Sequence, residues 1–170
     1  MNFRLEIARD WTPLEDLSAL ELAASERYRE AGYDPAPWPP TTPRDFADYR
    51  DLGLLWVAAV GRRAAGFAVV DVYDEYFHLE EIDVLPELQG RGIGTALIGE
   101  VIAEAGRRGS RAATLRTFTT TPWSVGLYGK MGFRRWEPDP EPDYLIAIFD
   151  EECAVGLLRE ERLTMRRPIS

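Results

Sequence analysis

The 170-residue chain has a single cysteine, Cys153, and a single histidine, His78. No disulfide can form within it, which suits a reducing compartment and predicts a cytoplasmic protein. Zinc sites built from clustered Cys and His are excluded by inventory. A Ser-His-Asp triad would have to use His78, and the Gly-x-Ser-x-Gly turn of serine hydrolases is missing. No apolar run is long enough to span a membrane, and Met1 to Trp11 contains no apolar leader core. Positive charge is scarce as well: 20 Lys and Arg stand against 29 Asp and Glu, a net charge of −9. This balance repels nucleic acid and anionic membranes and favours cationic partners, although solubility alone also accounts for it.

What is present is ordinary for a folded domain: 45% hydrophobic and 29% charged residues. The length suits one domain over residues 1–170. Phe3 to Ala8 alternates as a half-buried strand does. Pro13 to Arg29 has the spacing of an amphipathic helix, and the proline-rich stretch Gly32 to Pro40 cannot be helical. A short helix is expected over Pro43 to Leu52, with Thr42 as its cap. Leu54 to Val60 and Ala64 to Tyr73 form a hairpin, followed by a strand over Phe77 to Leu85. Gly92 to Arg108 reads as helix, Ala112 to Phe118 as strand and Trp123 to Met131 as helix, with a strand starting over Phe133 to Trp136. Asp143 to Leu158 follows as helix, with Cys153 on its apolar side as an inert buried thiol, and Arg162 to Arg167 as a closing strand. This order implies an α/β or α+β domain with a mixed, mostly antiparallel sheet flanked by helices.

One segment carries chemistry. Glu81-Ile82-Asp83-Val84-Leu85-Pro86 runs as a strand into Gln89-Gly90-Arg91-Gly92-Ile93-Gly94-Thr95, which opens a helix. The first amides of a helix have no intrahelical partner, and its dipole adds positive charge, so such a turn cradles phosphates. The glycine spacing fits neither the dinucleotide fingerprint nor the P-loop.

With its flanks, the segment from Leu79 to Ala105 resembles the acetyl-CoA-binding motif of the GNAT acetyltransferase superfamily. A second block, Leu127-Tyr128-Gly129-Lys130-Met131-Gly132-Phe133, resembles that family's Phe/Leu-Tyr-x-x-x-Gly-Phe. The resemblance implies a GNAT fold in which two parallel strands, Phe77 to Val84 and Ala112 to Phe118, splay apart around coenzyme A. It implies that backbone groups of Ile82 and Val84 meet the pantetheine and that Gln89, Gly90, Arg91, Gly92, Ile93, Gly94 and Thr95 hold the pyrophosphate. The chain departs from the family at Thr121 and Ser124, where many members carry Asn and Ala; the Ser124 hydroxyl is a candidate contact to the cofactor.

Tyr128 is then the candidate general acid for the thiolate. Glu80 and Glu81 are neighbours on a strand, so strict alternation sends them to opposite faces and only one meets the acceptor. Glu80, nine residues before Gln89, matches a glutamate that polyamine-type members place near the amine; His78 shares its face, and Asp83 is expected to face solvent. Tyr33, Trp38 and the prolines are candidates for a stiff wall over the acceptor, and Trp123 for the thioester end. The resemblance implies transfer of acetyl from acetyl-CoA to a small cationic amine or a peptide amine, without metal, nucleic acid or membrane, and is compatible with a homodimer. A non-catalytic acyl-CoA sensor would share the phosphate turn.

Overall fold

Strand β2 (Leu55–Val60) shows how the sequence builds the centre of the molecule. Leu55 and Val57 point into one hydrophobic layer with Leu17, Leu20, Phe46 and Phe67, while Trp56 and Ala58 point into another with Phe77, Leu97 and Val101. A strand buried on both faces needs helices on both sides. The computed structural model describes residues 4–170, so Phe3, the first residue of the expected opening strand, lies outside the described residues.

The elements run β1 (Leu5–Ala8), α1 (Glu15–Ser25), α2 (Pro43–Asp51), β2, β3 (Arg63–Tyr73), β4 (Tyr76–Val84), α3 (Ile93–Arg107), β5 (Ala112–Phe118), α4 (Pro122–Lys130), β6 (Arg134–Arg135), α5 (Asp143–Ala154) and β7 (Arg162–Pro168). They form one seven-stranded sheet in the order β1-β2-β3-β4-β5-β7-β6. Every neighbouring pair is antiparallel except β4 with β5. Helices α1 and α2 cover one face and α3 the other. Thr42 caps α2 as expected: its hydroxyl accepts from the Asp45 amide at 3.2 Å, and Asp45 accepts from the Thr42 amide at 3.0 Å. Such reciprocal capping stabilises a helix by about 1 kcal/mol.

Three expected elements are shorter in the structure. α1 ends at Ser25, and a 3₁₀ turn over Glu26–Ala31 carries the chain to Gly32. The strand read over Phe133 to Trp136 reduces to the two residues of β6. α5 stops at Ala154, and Cys153 is exposed, not buried. Leu145, Ile148 and Phe149 do face inward, but the next inward position belongs to Glu152, not Cys153. Among the described residues no helix is long and apolar enough to cross a membrane.

Two irregularities of β4 position the site. It pairs with β5 only from Tyr76↔Ala112 to Leu79↔Leu115. β5 then continues alongside β7 to Phe118, so β4 and β5 diverge and open a V. At the same point the register against β3 jumps from Val70↔Leu79 to Val69↔Glu81, leaving Glu80 as the extra residue of a bulge. Before the bulge Phe77 and Leu79 face α3; after it Ile82 and Val84 do. His78, Glu80, Glu81 and Asp83 therefore share the opposite face. The expected separation of Glu80 from Glu81 is corrected by this inserted residue, and so is the placement of Asp83, which is only 8% exposed.

Candidate active site

On one side of the V lies a cleft of about 500 Å³ bounded by Ile82, Val84, Gln89, Gly90, Gly92, Ile93, Gly94, Thr95, Trp123 and Ser124. Leu85 donates its amide to Ala65 of β3 at 2.9 Å. By alternation the backbone groups of Ile82 and Val84 point the other way, into the edge that β5 has left. Gly90 and Gly92 adopt φ of +73° and +84°, conformations that other residues reach only with strain. Gly92 precedes α3 without any side-chain cap, and the first hydrogen bond back to it comes from Ala96 at 3.0 Å. The amides of Ile93, Gly94 and Thr95 thus precede the helical ladder and face the cleft with the positive end of the helix dipole. A Cβ on Gly94 would sit 3.3 Å from Leu127, so this glycine serves close packing of α3 on α4.

Gln89 and Ser124 border the cleft with side chains already engaged. The Gln89 amide donates to the Val84 carbonyl at 3.1 Å and its oxygen accepts from Arg27, whose guanidinium lies 4.3 Å over the Trp123 ring. The Ser124 hydroxyl donates to the Thr121 carbonyl at 3.0 Å and accepts from Thr117 at 3.1 Å. The Thr121 hydroxyl lies 2.5 Å away as a third partner, so all the hydroxyl's partners belong to the protein and Ser124 forms part of the cleft wall.

Across β4 lies a second cavity of about 320 Å³. Tyr28, Trp38 and Pro35, Pro39 and Pro40 wall it, with Trp38 stacked 5.6 Å from Phe118. Tyr33 instead lies 4.1 Å from the Phe118 ring and bonds Thr120, backing the wall from behind. The cavity is acidic. Glu21, Glu80, Glu81, Asp83, Glu151 and Glu152 line it, against Arg116 and Arg162. Glu152 already holds both guanidiniums at 2.8 Å, and Arg116 lies 3.6 Å over the Phe149 ring.

The remaining carboxylates therefore stand without a matching cation. Burial, then the charges of Asp71, Glu151 and Glu152, push Glu80 up to about 7, while 39% of its side chain stays open. Burial, then the charges of Asp83, Glu21 and Glu80, raise Glu81 well above the usual carboxylate range, and burial with the Glu21 charge does the same to Asp83. His78 is 2% exposed, with its Nδ1 2.9 Å from the Thr114 hydroxyl. Burial, helped by Arg116 and Arg162, lowers it to about 3, so it is neutral and packs under Glu80 at 3.8 Å.

The two spaces meet at Tyr28, Ile82, Asp83 and Tyr128, which border both. Tyr128 is 7% exposed, and burial followed by the Glu81 and Asp83 charges holds its hydroxyl firmly protonated. Such a group stays a proton donor across the ordinary pH range. Sequence reasoning missed Glu21, Glu151, Glu152, Arg116 and Arg162. Arg116, a charge in the middle of the apolar strand Ala112–Phe118, is the one local signal that could have revealed them.

A cleft bordered by a glycine-rich helix entry and an acidic cavity thus meet at a buried tyrosine. Residues 18–133 match the model of the Acetyltransferase (GNAT) family, and the chain belongs to it. It is similar to a mycothiol acetyltransferase of Pseudarthrobacter chlorophenolicus, 32% identical over 123 residues, covering 72% of this chain and 34% of that protein. An uncharacterized N-acetyltransferase of Methanocaldococcus jannaschii is 33% identical over 95 residues, covering 52% of this chain and 42% of that one. The chain thus spans well under half the length of these curated relatives. The fold is that of the PaiA N-acetyltransferase of Thermoplasma acidophilum, solved with coenzyme A, with a TM-score of 0.75 at 14% identity over 97% of this chain and 99% of that one.

Proposed function

We propose that the chain, acting as one domain in the cytoplasm, transfers the acetyl group of acetyl-CoA directly to the primary amine of a small cationic acceptor. The observation that carries this is the junction itself: the cleft and the acidic cavity meet at Tyr28, Ile82, Asp83 and Tyr128. Coenzyme A takes the cleft. Its pyrophosphate meets the amides of residues 90–95, and its pantetheine adds to the free edge of β4 through Ile82 and Val84, which brings the thioester to the junction.

The acceptor enters between the proline wall and the carboxylates. An ammonium is drawn there by charge, and a cavity of about 320 Å³ suits a small molecule better than a protein surface. Glu80, titrating near 7, removes the proton that makes the amine unreactive. Backbone amides on β4 are preorganised to stabilise the oxyanion that forms on attack. Tyr128 then protonates the departing thiolate. Holding both substrates at one point supplies the proximity effect.

A panel of primary amines, read by release of free coenzyme A thiol, tests the proposal. Turnover should favour small cations over neutral or anionic amines. Acetyl-CoA binding with no turnover of any amine would instead assign the chain to acyl-CoA sensing.

A further inference from the structure

Asp83 is the one acidic side chain among the described residues that borders both the cleft and the acidic cavity. It is more than nine-tenths buried, and among the described residues no hydrogen bond or ion pair engages its carboxyl. A buried carboxyl without partners is expensive for a fold. The groups facing it do not relieve that cost: Glu81 lies on its own strand, Glu21 on α1, Tyr128 on α4 and Tyr28 on the turn after α1, with Arg162 of β7 held by Glu152. Such a group is retained where something outside the chain meets it.

Glu80 stands elsewhere. It borders only the acceptor cavity, and three residues of strand put it about 10 Å from Asp83. One carboxylate meets the incoming ammonium, and the other waits where the new bond forms.

We propose that Asp83 is a second proton acceptor, which takes a proton from the attacking nitrogen after the C–N bond forms and returns it to Tyr128. This rests on the transfer reaction proposed above. The nitrogen lone pair attacks the thioester carbon, the carbonyl π pair moves to oxygen, and the nitrogen becomes cationic with a surplus proton. Collapse restores the C=O bond and breaks the C–S bond, so sulfur leaves with the electron pair. Sulfur takes the Tyr128 proton, Asp83 takes the nitrogen's proton, and Asp83 then passes it to the Tyr128 phenolate. Amine and thioester become amide and thiol, and the enzyme is restored. The earlier proton, taken from the ammonium by Glu80, leaves to solvent.

The two carboxylates are separable by when they act. A weakly basic primary amine, already neutral at the assay pH, needs no help from Glu80 but still gains a surplus proton on attack. Steady-state rates of Glu80→Gln and Asp83→Asn are compared with an ordinary and a weakly basic amine, with coenzyme A affinity measured by calorimetry. Glu80→Gln should recover toward the native rate with the weakly basic amine or at high pH. Asp83→Asn should lose about 100-fold in kcat with either amine, with no recovery as pH rises, while keeping its coenzyme A affinity. In Asp83→Ala, added formate should restore part of the rate, a rescue that a packing role would not show. The proposal is overturned if Asp83→Asn stays within about threefold of native kcat, or recovers as Glu80→Gln does. It is equally overturned if formate leaves a folded Asp83→Ala unchanged, or if both variants fail to fold and so assign Asp83 to structure. A native chain that acetylates no amine would defeat the transfer reading instead.

Discussion

Replacing Glu80 with glutamine should stabilise the protein at about pH 8 and change little at about pH 4. Burial beside Asp71, Glu151 and Glu152 lifts the folded carboxyl from its ordinary 4.5 to about 7. Between those values the folded chain binds more protons at this position than the unfolded chain, so stability falls as pH rises. Below 4.5 the carboxyl is neutral in both states and glutamine is a close substitute. Above 7 it is charged in both, and the full penalty of holding that charge in an acidic cavity applies. At about 1.4 kcal/mol per tenfold change, the difference caps the effect at roughly 3 kcal/mol. The side chain keeps 39% of its surface open, so solvent screening reduces the expected gain to about 1–2 kcal/mol. Urea unfolding of both proteins across this pH range measures it, since the difference between them isolates Glu80 from the other buried acids. A cationic acceptor that binds beside Glu80 should narrow the gap by stabilising the native chain more. A glutamine variant that is less stable at pH 8, or a gap that ignores pH, would refute the account of an acceptor cavity crowded with unmatched carboxylates.

Tyr128→Phe should keep the fold and coenzyme A affinity while kcat falls about 100-fold, read by thiol release. Gly92→Val should raise the coenzyme A dissociation constant at least tenfold by calorimetry, because valine is strained at φ +84° and intrudes where phosphates approach; nothing lies within 4 Å of its Cβ to confuse the result with packing. Glu152→Gln should destabilise by about 3–5 kcal/mol in chemical unfolding, because it leaves the Arg116 and Arg162 guanidiniums buried without their carboxylate.

Much of the fold was legible because its signals are local. The strand Ala112–Phe118 was read with both ends correct, and Thr42 and Pro43 marked the start of α2. The glycine turn before α3 was legible for the same reason: Gly90 and Gly92 sit where φ is positive, just ahead of a helix. The acceptor side was not. Alternation is a local rule, and a bulge that breaks it is fixed by pairing with another strand, here the jump between Val69 and Val70 of β3. The apolar spacing through Leu145, Ile148 and Phe149 pointed equally to Glu152 or Cys153 for the next inward place. The choice went to Glu152 because Arg116 and Arg162 arrive there from β5 and β7. Charges drawn together from four elements leave no trace in any one of them.

The bulge and the opening of the V occur at the same residue, and each depends on the other for its use. Divergence from β5 frees the β4 edge after Leu79, which alone would provide a cleft for a strand-like cofactor arm. Insertion of Glu80 shifts the faces from that point on, so Ile82 and Val84 turn to the α3 layer while Glu81 and Asp83 turn to the acceptor side. Without the insertion, alternation from Phe77 and Leu79 would send Glu81 and Asp83 into the hydrophobic layer of α3, where a carboxyl has no water and no cation. With it, they line a cavity whose two arginines are already matched to Glu152. The charge still unmatched there is negative, and it lies on the path to Tyr128. In the reaction proposed above, a cationic amine is the partner that relieves it. In that reaction, binding the amine lowers the cost of ionising the same carboxylates that then take its protons, so recognition and deprotonation would draw on one set of side chains.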